Sequence, residues 1–134
     1  MSNLPQSISK LLNVSESSDY KDDSILQSIK KLIGITEEYT HFDMNIIIHI
    51  NTAFMVLNQL GVGPKDGFYI RDETTTWNEY DAGLVNIETI KTYVYLRVRL
   101  LFDPPSSSII NEIINKQILE LEYRLNVSAE SKNS

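Results

Sequence analysis

The sequence predicts a mainly α-helical fold: a bundle of about four helices, with a short β-hairpin or ordered loop inserted between the second and third main helices. Three observations predict it. First, Asn86 to Leu125 reads as two helices separated by one hard stop, Asp103-Pro104-Pro105-Ser106-Ser107-Ser108. Proline cannot donate to a helix ladder and drives the residue before it out of helical geometry, so the first of the two helices ends by Asp103. The serines supply capping oxygens for the second. Second, apolar residues recur at spacings of three and four from Ile25 to Ile33, and crowd most faces from Met44 to Leu60. Third, 134 residues at 42% hydrophobic composition suffice for one core, and the absence of cysteine removes disulfides and thiolate metal sites.

The expected organisation is an N-terminal arm (1–23), a helical domain (24–127) and a flexible tail (128–134). Within the arm, Gln6 to Glu16 is echoed by Gln27 to Glu37 at an offset of 21 residues. The copies match or nearly match except at Ser9/Lys30 and Asn13/Gly34. Two copies are too few for a solenoid. The first copy is either a redundant, partly ordered duplicate or a spare helix that docks on a neighbouring subunit through Ile8, Leu11 and Leu12. A polar linker, Ser15 to Asp23, joins it to the second copy.

The second copy places Ile25, Leu26, Ile29, Leu32 and Ile33 on one stripe. Asp23 or Ser24 can cap its start, and Gly34 can stop it as a left-handed residue. Thr40-His41-Phe42-Asp43 then reads as a capping box, with Tyr39 and Met44 placed for a hydrophobic staple. The helix that follows, Met44 to Leu60, has no fixed charge. Such a helix is either central in its bundle or covered by other subunits. Gly61-Val62-Gly63-Pro64 ends it.

From 65 to 83 the chain changes character. Phe68-Tyr69-Ile70-Arg71 and Thr74-Thr75-Thr76-Trp77 are rich in β-branched and aromatic residues around Asp72-Glu73. An isolated hairpin is marginal in water, so these aromatics must pack on the bundle or on a partner. Phe68, Tyr69 and Trp77 are therefore candidate interface residues.

The segment Ile87 to Phe102 alternates like a strand at Val94, Leu96, Val98 and Leu100. Its length of about sixteen residues is long for a strand, and Asn86 is a good helix cap, so helix is preferred. Ile87, Ile90, Val94, Val98 and Leu101 fit the helical period. Arg97 and Arg99 fall on nearly opposite sides. With Lys91 they are candidate inter-subunit charges, able to meet phosphates or carboxylates such as Glu88 or those of other chains. The last helix carries Ile110, Ile113, Ile114, Ile118, Leu121 and Leu125 in one stripe. Its Glu112–Lys116 and Glu120–Arg124 pairs lie on the outer face. Beyond Val127 nothing remains to bury.

No catalytic or cofactor chemistry is indicated. His41 and His49 do not converge with Asp43 into a metal ligand set. No serine sits in a Gly-rich elbow, and Gly61-Val62-Gly63-Pro64 lacks the Lys-Ser/Thr of a phosphate loop. Asp22-Asp23 and Glu37-Glu38 suit helix starts, and Asp72, Glu73, Glu79 and Asp81 read as solvated surface. A net charge of −6 argues against a dedicated nucleic-acid binder. The N-terminus does not read as a signal peptide, and no apolar run reaches the roughly 18–20 residues of a membrane span, so a cytosolic protein without membrane contact is expected.

Asn51-Thr52-Ala53-Phe54-Met55-Val56-Leu57-Asn58-Gln59-Leu60-Gly61-Val62-Gly63-Pro64, Trp77, and the run from Lys91 to Pro105 carry a further signal. Across Ser24 to Val127 the chain resembles small head–tail connector proteins (adaptor or head-completion proteins) of tailed phages infecting Gram-positive bacteria. The resemblance implies a helical bundle assembled as a ring, usually dodecameric, beneath the portal vertex. Its partners would be the portal and downstream neck or tail-completion proteins, with DNA only as transiting cargo. Its place would be the virion neck, after assembly in the host cytoplasm. The alternative reading is a small phage-encoded regulatory module that binds a host protein or nucleic acid.

Overall fold

The computed structural model describes residues 23–81 and 87–133. Ile8, Leu11 and Leu12, and Asn86, lie outside the described residues. The described chain forms α1 (Ile25–Leu32), α2 (Asp43–Gln59), a five-residue α3 (Trp77–Asp81), α4 (Ile87–Phe102) and α5 (Ser108–Asn133). It is mainly helical, as the spacing of the apolar residues predicts.

The helix α4 is the shared partner. It packs on both α2 and α5, and α1 contacts α2 and α4. Its Ile87, Ile90, Tyr93, Val94, Leu96 and Val98 are buried. They meet Ile46, Ile50, Ala53, Phe54 and Leu57 of α2, and Ile114, Ile118 and Leu125 of α5, in one apolar cluster. The period of 3.6 therefore wins over the alternation at Val94–Leu100, because burial on two sides selects both Val94/Val98 and Tyr93/Leu96. The Tyr93 phenol, buried and hydrogen-bonded to Glu122, has its pKa pushed well above the ordinary tyrosine value.

The helix ends follow local chemistry. Ser24 Oγ accepts from Gln27 N at 3.1 Å and caps α1. At the other end Ile35 N donates to Lys30 O and Gly34 N to Lys31 O, with Gly34 at φ 85°, the six-to-one and five-to-two pattern of a Schellman stop. The same pattern closes α2, where Val62 N reaches Leu57 O. Ser107 Oγ accepts from Ile110 N at 3.3 Å as α5 begins.

Five expectations need correction. The hairpin does not form: among the described residues the sole extended pairing is an isolated antiparallel bridge between Ser24 and Thr76. The segment is an ordered loop, held by the Asn51 side chain, which gives one hydrogen bond to Ile70 O (2.9 Å) and takes one from Ile70 N (2.8 Å). Thr76 and Glu79 form a capping box that draws Trp77 into α3 instead of a strand: Thr76 N donates to Glu79 Oε2 at 2.9 Å.

Thr40 does not cap α2. That helix starts at Asp43, after Phe42, with no side-chain cap, because the Asp43 carboxylate is drawn to Lys30. Nor is there a staple, since Met44 is 69% exposed; Tyr39 instead joins His41 and Phe42 in an aromatic cluster that reaches Phe102. The predicted stripes lose their ends: Leu101, Ile110 and Ile113 are about half exposed near the Pro104-Pro105 turn. Finally, α5 continues to Asn133 where a tail with nothing to bury was expected. Ala129 packs against the core, and Asn126 Nδ2 donates to Leu60 O at 3.2 Å.

Candidate functional site

Once the core is filled, two helical faces keep their apolar side chains in solvent. On α2 the core side is Ile46, Ile50, Ala53, Phe54 and Leu57. At 100° per residue, Met44, Ile48 and Met55 fall roughly opposite it. They are 69%, 59% and 54% exposed. No Lys, Arg, Asp or Glu occurs from Met44 to Gln59, so this face carries no fixed charge. His49, at its edge, has its pKa lowered by partial burial, which favours the neutral imidazole.

On α5 the core side is Ile114, Ile118 and Leu125, and the opposite face presents Leu119, Tyr123 and Val127, with Ile109 and Ile113 continuing it towards the N-terminal end. Here charge is present beside the stripe: Arg124 and Glu120 pair at 2.7 Å on the exposed surface. Monomeric soluble proteins rarely leave contiguous apolar patches beyond a few hundred Å², and such patches mark contact sites.

The residues singled out from the sequence distribute unevenly. Trp77 is fully buried, its Nε1 donating to Ser28 Oγ at 2.8 Å. Phe68 is half-buried, edge-on to Phe54 and Tyr80 at 5.1 Å each. Tyr69, 59% exposed beside Arg71, is the one of the three that faces outward. The three cations are separate as well. Arg97 Nη1 lies 3.5 Å from Glu122 Oε2, the carboxylate that also accepts from Tyr93 OH at 2.6 Å. Arg99 Nη1 donates to Tyr95 OH at 3.2 Å. Lys91 Nζ sits 5.9 Å from the Trp77 ring centroid. They form no common patch.

Sequence reasoning missed Lys30. It is wholly buried, donates to Glu37 O (3.1 Å) and Tyr39 O (2.8 Å), and lies 2.9 Å from Asp43 Oδ1. The approach to Asp43 is not along a hydrogen-bonding direction, so that contact is coulombic. The only hint in the sequence was that position 30 breaks the likeness between the two copies. The Thr76-Glu79 capping box was also readable, from the spacing Thr-Trp-Asn-Glu.

Among the described residues no group of three His, Asp or Glu side chains converges to hold a metal. A groove of about 440 Å³ beside α1 is lined by Asp23, Ser28, Lys31, Glu37 and Lys91 among others. It pairs no nucleophile with a base, since Ser28 Oγ is taken by Trp77 and by Ile25 O. Among the described residues no helix is long and apolar enough to cross a membrane. In a comparison against protein-family models, residues 25–132 match the model described as "Phage connector protein".

The chain belongs to the phage connector family. This is a family of structural proteins, and the match spans the five described helices of the connector except for Asn133. No curated protein and no solved structure is significantly similar to it. Within the connector, the outer faces of α2 and α5 are the surfaces that its own core leaves unused.

Proposed function

We propose that the connector forms a closed ring, with twelve subunits as the expected number, which sits beneath the portal vertex and joins capsid to tail while DNA passes through its lumen. The observation that carries this reading is the surplus of apolar surface on helices whose core is already complete. Met44, Ile48 and Met55 on a charge-free face, and Leu119 and Tyr123 on another, suit permanent cover by protein and not solvent. Family membership supports the choice of a virion neck as the place where that cover is found.

The acidic balance of the chain, −6 overall, suits a conduit. A lumen that repels phosphates lets DNA slide, whereas a basic one would hold it. Arg97 supports the same reading, because its charge is balanced within the subunit by Glu122.

The test is the mass of the purified connector alone and mixed with portal rings. The expected species is portal bound to a whole number of 15.3 kDa subunits. A chain that stays a single subunit and leaves portal unbound at every concentration contradicts the proposal.

A further inference from the structure

We infer that the subunit-to-subunit contact is head-to-tail between unlike helical flanks: the outer face of α2 in one copy, Met44, Ile48 and Met55, packs on the outer face of α5, Leu119, Tyr123 and Val127, in the next. The inference rests on the connector reading above and adds which surfaces meet.

Geometry carries it. Both α2 and α5 pack on α4, and they close on each other where Asn126 and Ala129 meet Leu60 and Gly61. Each turns its buried residues towards α4 and its exposed stripe away from it. The two stripes therefore face outward from one shared core, on two different helices of the subunit. An isologous pair would need a single self-complementary patch and would leave the other flank bare. Two unlike patches on separate outer faces satisfy each other by repetition, flank to flank, which closes into a ring when the rotation allows.

Direction agrees. Phe42 at the start of α2 meets Phe102 at the end of α4, with ring centroids 5.3 Å apart. Asn126 near the end of α5 bonds Leu60 at the end of α2. Hence α2 and α5 run the same way, and a sideways step of one subunit lays stripe along stripe. Area agrees too. At roughly 100 Å² for each of the six half-exposed side chains, the stripes bring about 600 Å² of apolar surface, the larger part of the non-polar share of a standard interface of about 1,600 Å². Tyr123, 71% exposed, supplies the aromatic anchor that such contacts favour, and the flexible Met44 and Met55 can shape a seat for it.

The test uses the full-length connector, alone and with portal rings. One variant carries Ile48→Glu and Met55→Glu; the other carries Leu119→Glu and Tyr123→Glu. Each variant alone is expected to fall to the mass of one subunit, 15.3 kDa. Mixed one to one, they are expected to give a dimer and nothing larger, because a live α2 flank and a live α5 flank remain for one contact only. Thermal melts check that both are folded. Since the chain has no cysteine, a Met55→Cys, Tyr123→Cys chain treated with a flexible bismaleimide gives a second readout that introduces no charge, and a ladder of linked subunits is expected.

Variants that still assemble as wild type does, with no ladder, overturn the pairing and leave the connector reading standing. A mixture that stays monomeric, with no ladder, also overturns it. So does loss of assembly in an Ile8→Asp, Leu12→Asp chain while both flank variants still assemble, which would give the contact to residues 1–22. Wild-type protein that never associates, even with portal, removes the connector reading itself.

Discussion

At Lys30 a full positive charge is held without solvent exposure. Two of its protons are committed to the carbonyls of Glu37 and Tyr39, and its charge faces Asp43. These contacts set the path from α1 into α2. Replacing Lys30 with Met leaves two carbonyls and a partly buried carboxylate without a partner. The expected cost is about 3 kcal/mol, read as a lower denaturant midpoint with unchanged slope. Gly63 is a second such position. It has φ 94°, and a Cβ there would stand 2.7 Å from the Tyr80 hydroxyl. Gly63→Ala is expected to cost about 2–3 kcal/mol, against about 1 kcal/mol for Gly67→Ala, where φ is 90° but the space is open; paired thermal melts test the difference. Neither effect was legible in the sequence. A lysine's burial depends on acceptors supplied by a loop further along the chain, and a glycine's neighbour across the fold has no local signature.

Elements were far more legible than residues, because periodicity and stop signals act locally. Ser24, Gly34 and Ser107 sit where their backbone chemistry places them. The Pro104-Pro105 stop divides α4 from α5 as the sterics of proline require. The misreadings have tertiary causes. The β-branched run Thr74–Thr76 is not a strand because Asn51 occupies the backbone of Ile70 and the Trp77 ring is taken into the core. The α5 helix outlasts its apolar stripe because Ala129 meets the end of α2 near Gly61, with a contact that would stand at 3.4 Å from an added Cβ there. The duplicated helix is a case of its own. Its two departures from the second copy, at Lys30 and Gly34, are the two residues that lock α1 into place. The first copy has Ser9 and Asn13 at those positions. Deleting residues 1–20 is therefore expected to leave helical content and the melting transition close to those of the full chain; circular dichroism reads this directly, and loss of cooperative unfolding would contradict it.

For the whole molecule, the fold explains why a charge-free helix is tolerated. One face of α2 is absorbed by α4 and α1, and the other is left for contact. The sequence offered this alternative, central helix or subunit cover; one face of the helix is buried in the core, and Met44, Ile48 and Met55 on the other are exposed. It did not reveal the exposed apolar face on α5, because the stripe Leu119–Tyr123–Val127 is interleaved with charged residues and its exposure follows from where α4 sits. Of the aromatics expected at a contact, Trp77 is buried in the core and Phe68 packs against it, whereas Met44, Met55 and Leu119 are exposed. At this scale the account predicts that charges placed on either flank abolish assembly while leaving the melting temperature within a few degrees, since surface substitutions away from the core change stability by about 0.5 kcal/mol. The most direct test of the central claim is a reconstruction of the intact neck of the phage particle. The account predicts a closed ring of this chain between portal and tail, with α2 of each subunit against α5 of the next; a particle in which the chain is missing, or lies as single copies away from the channel, would contradict it.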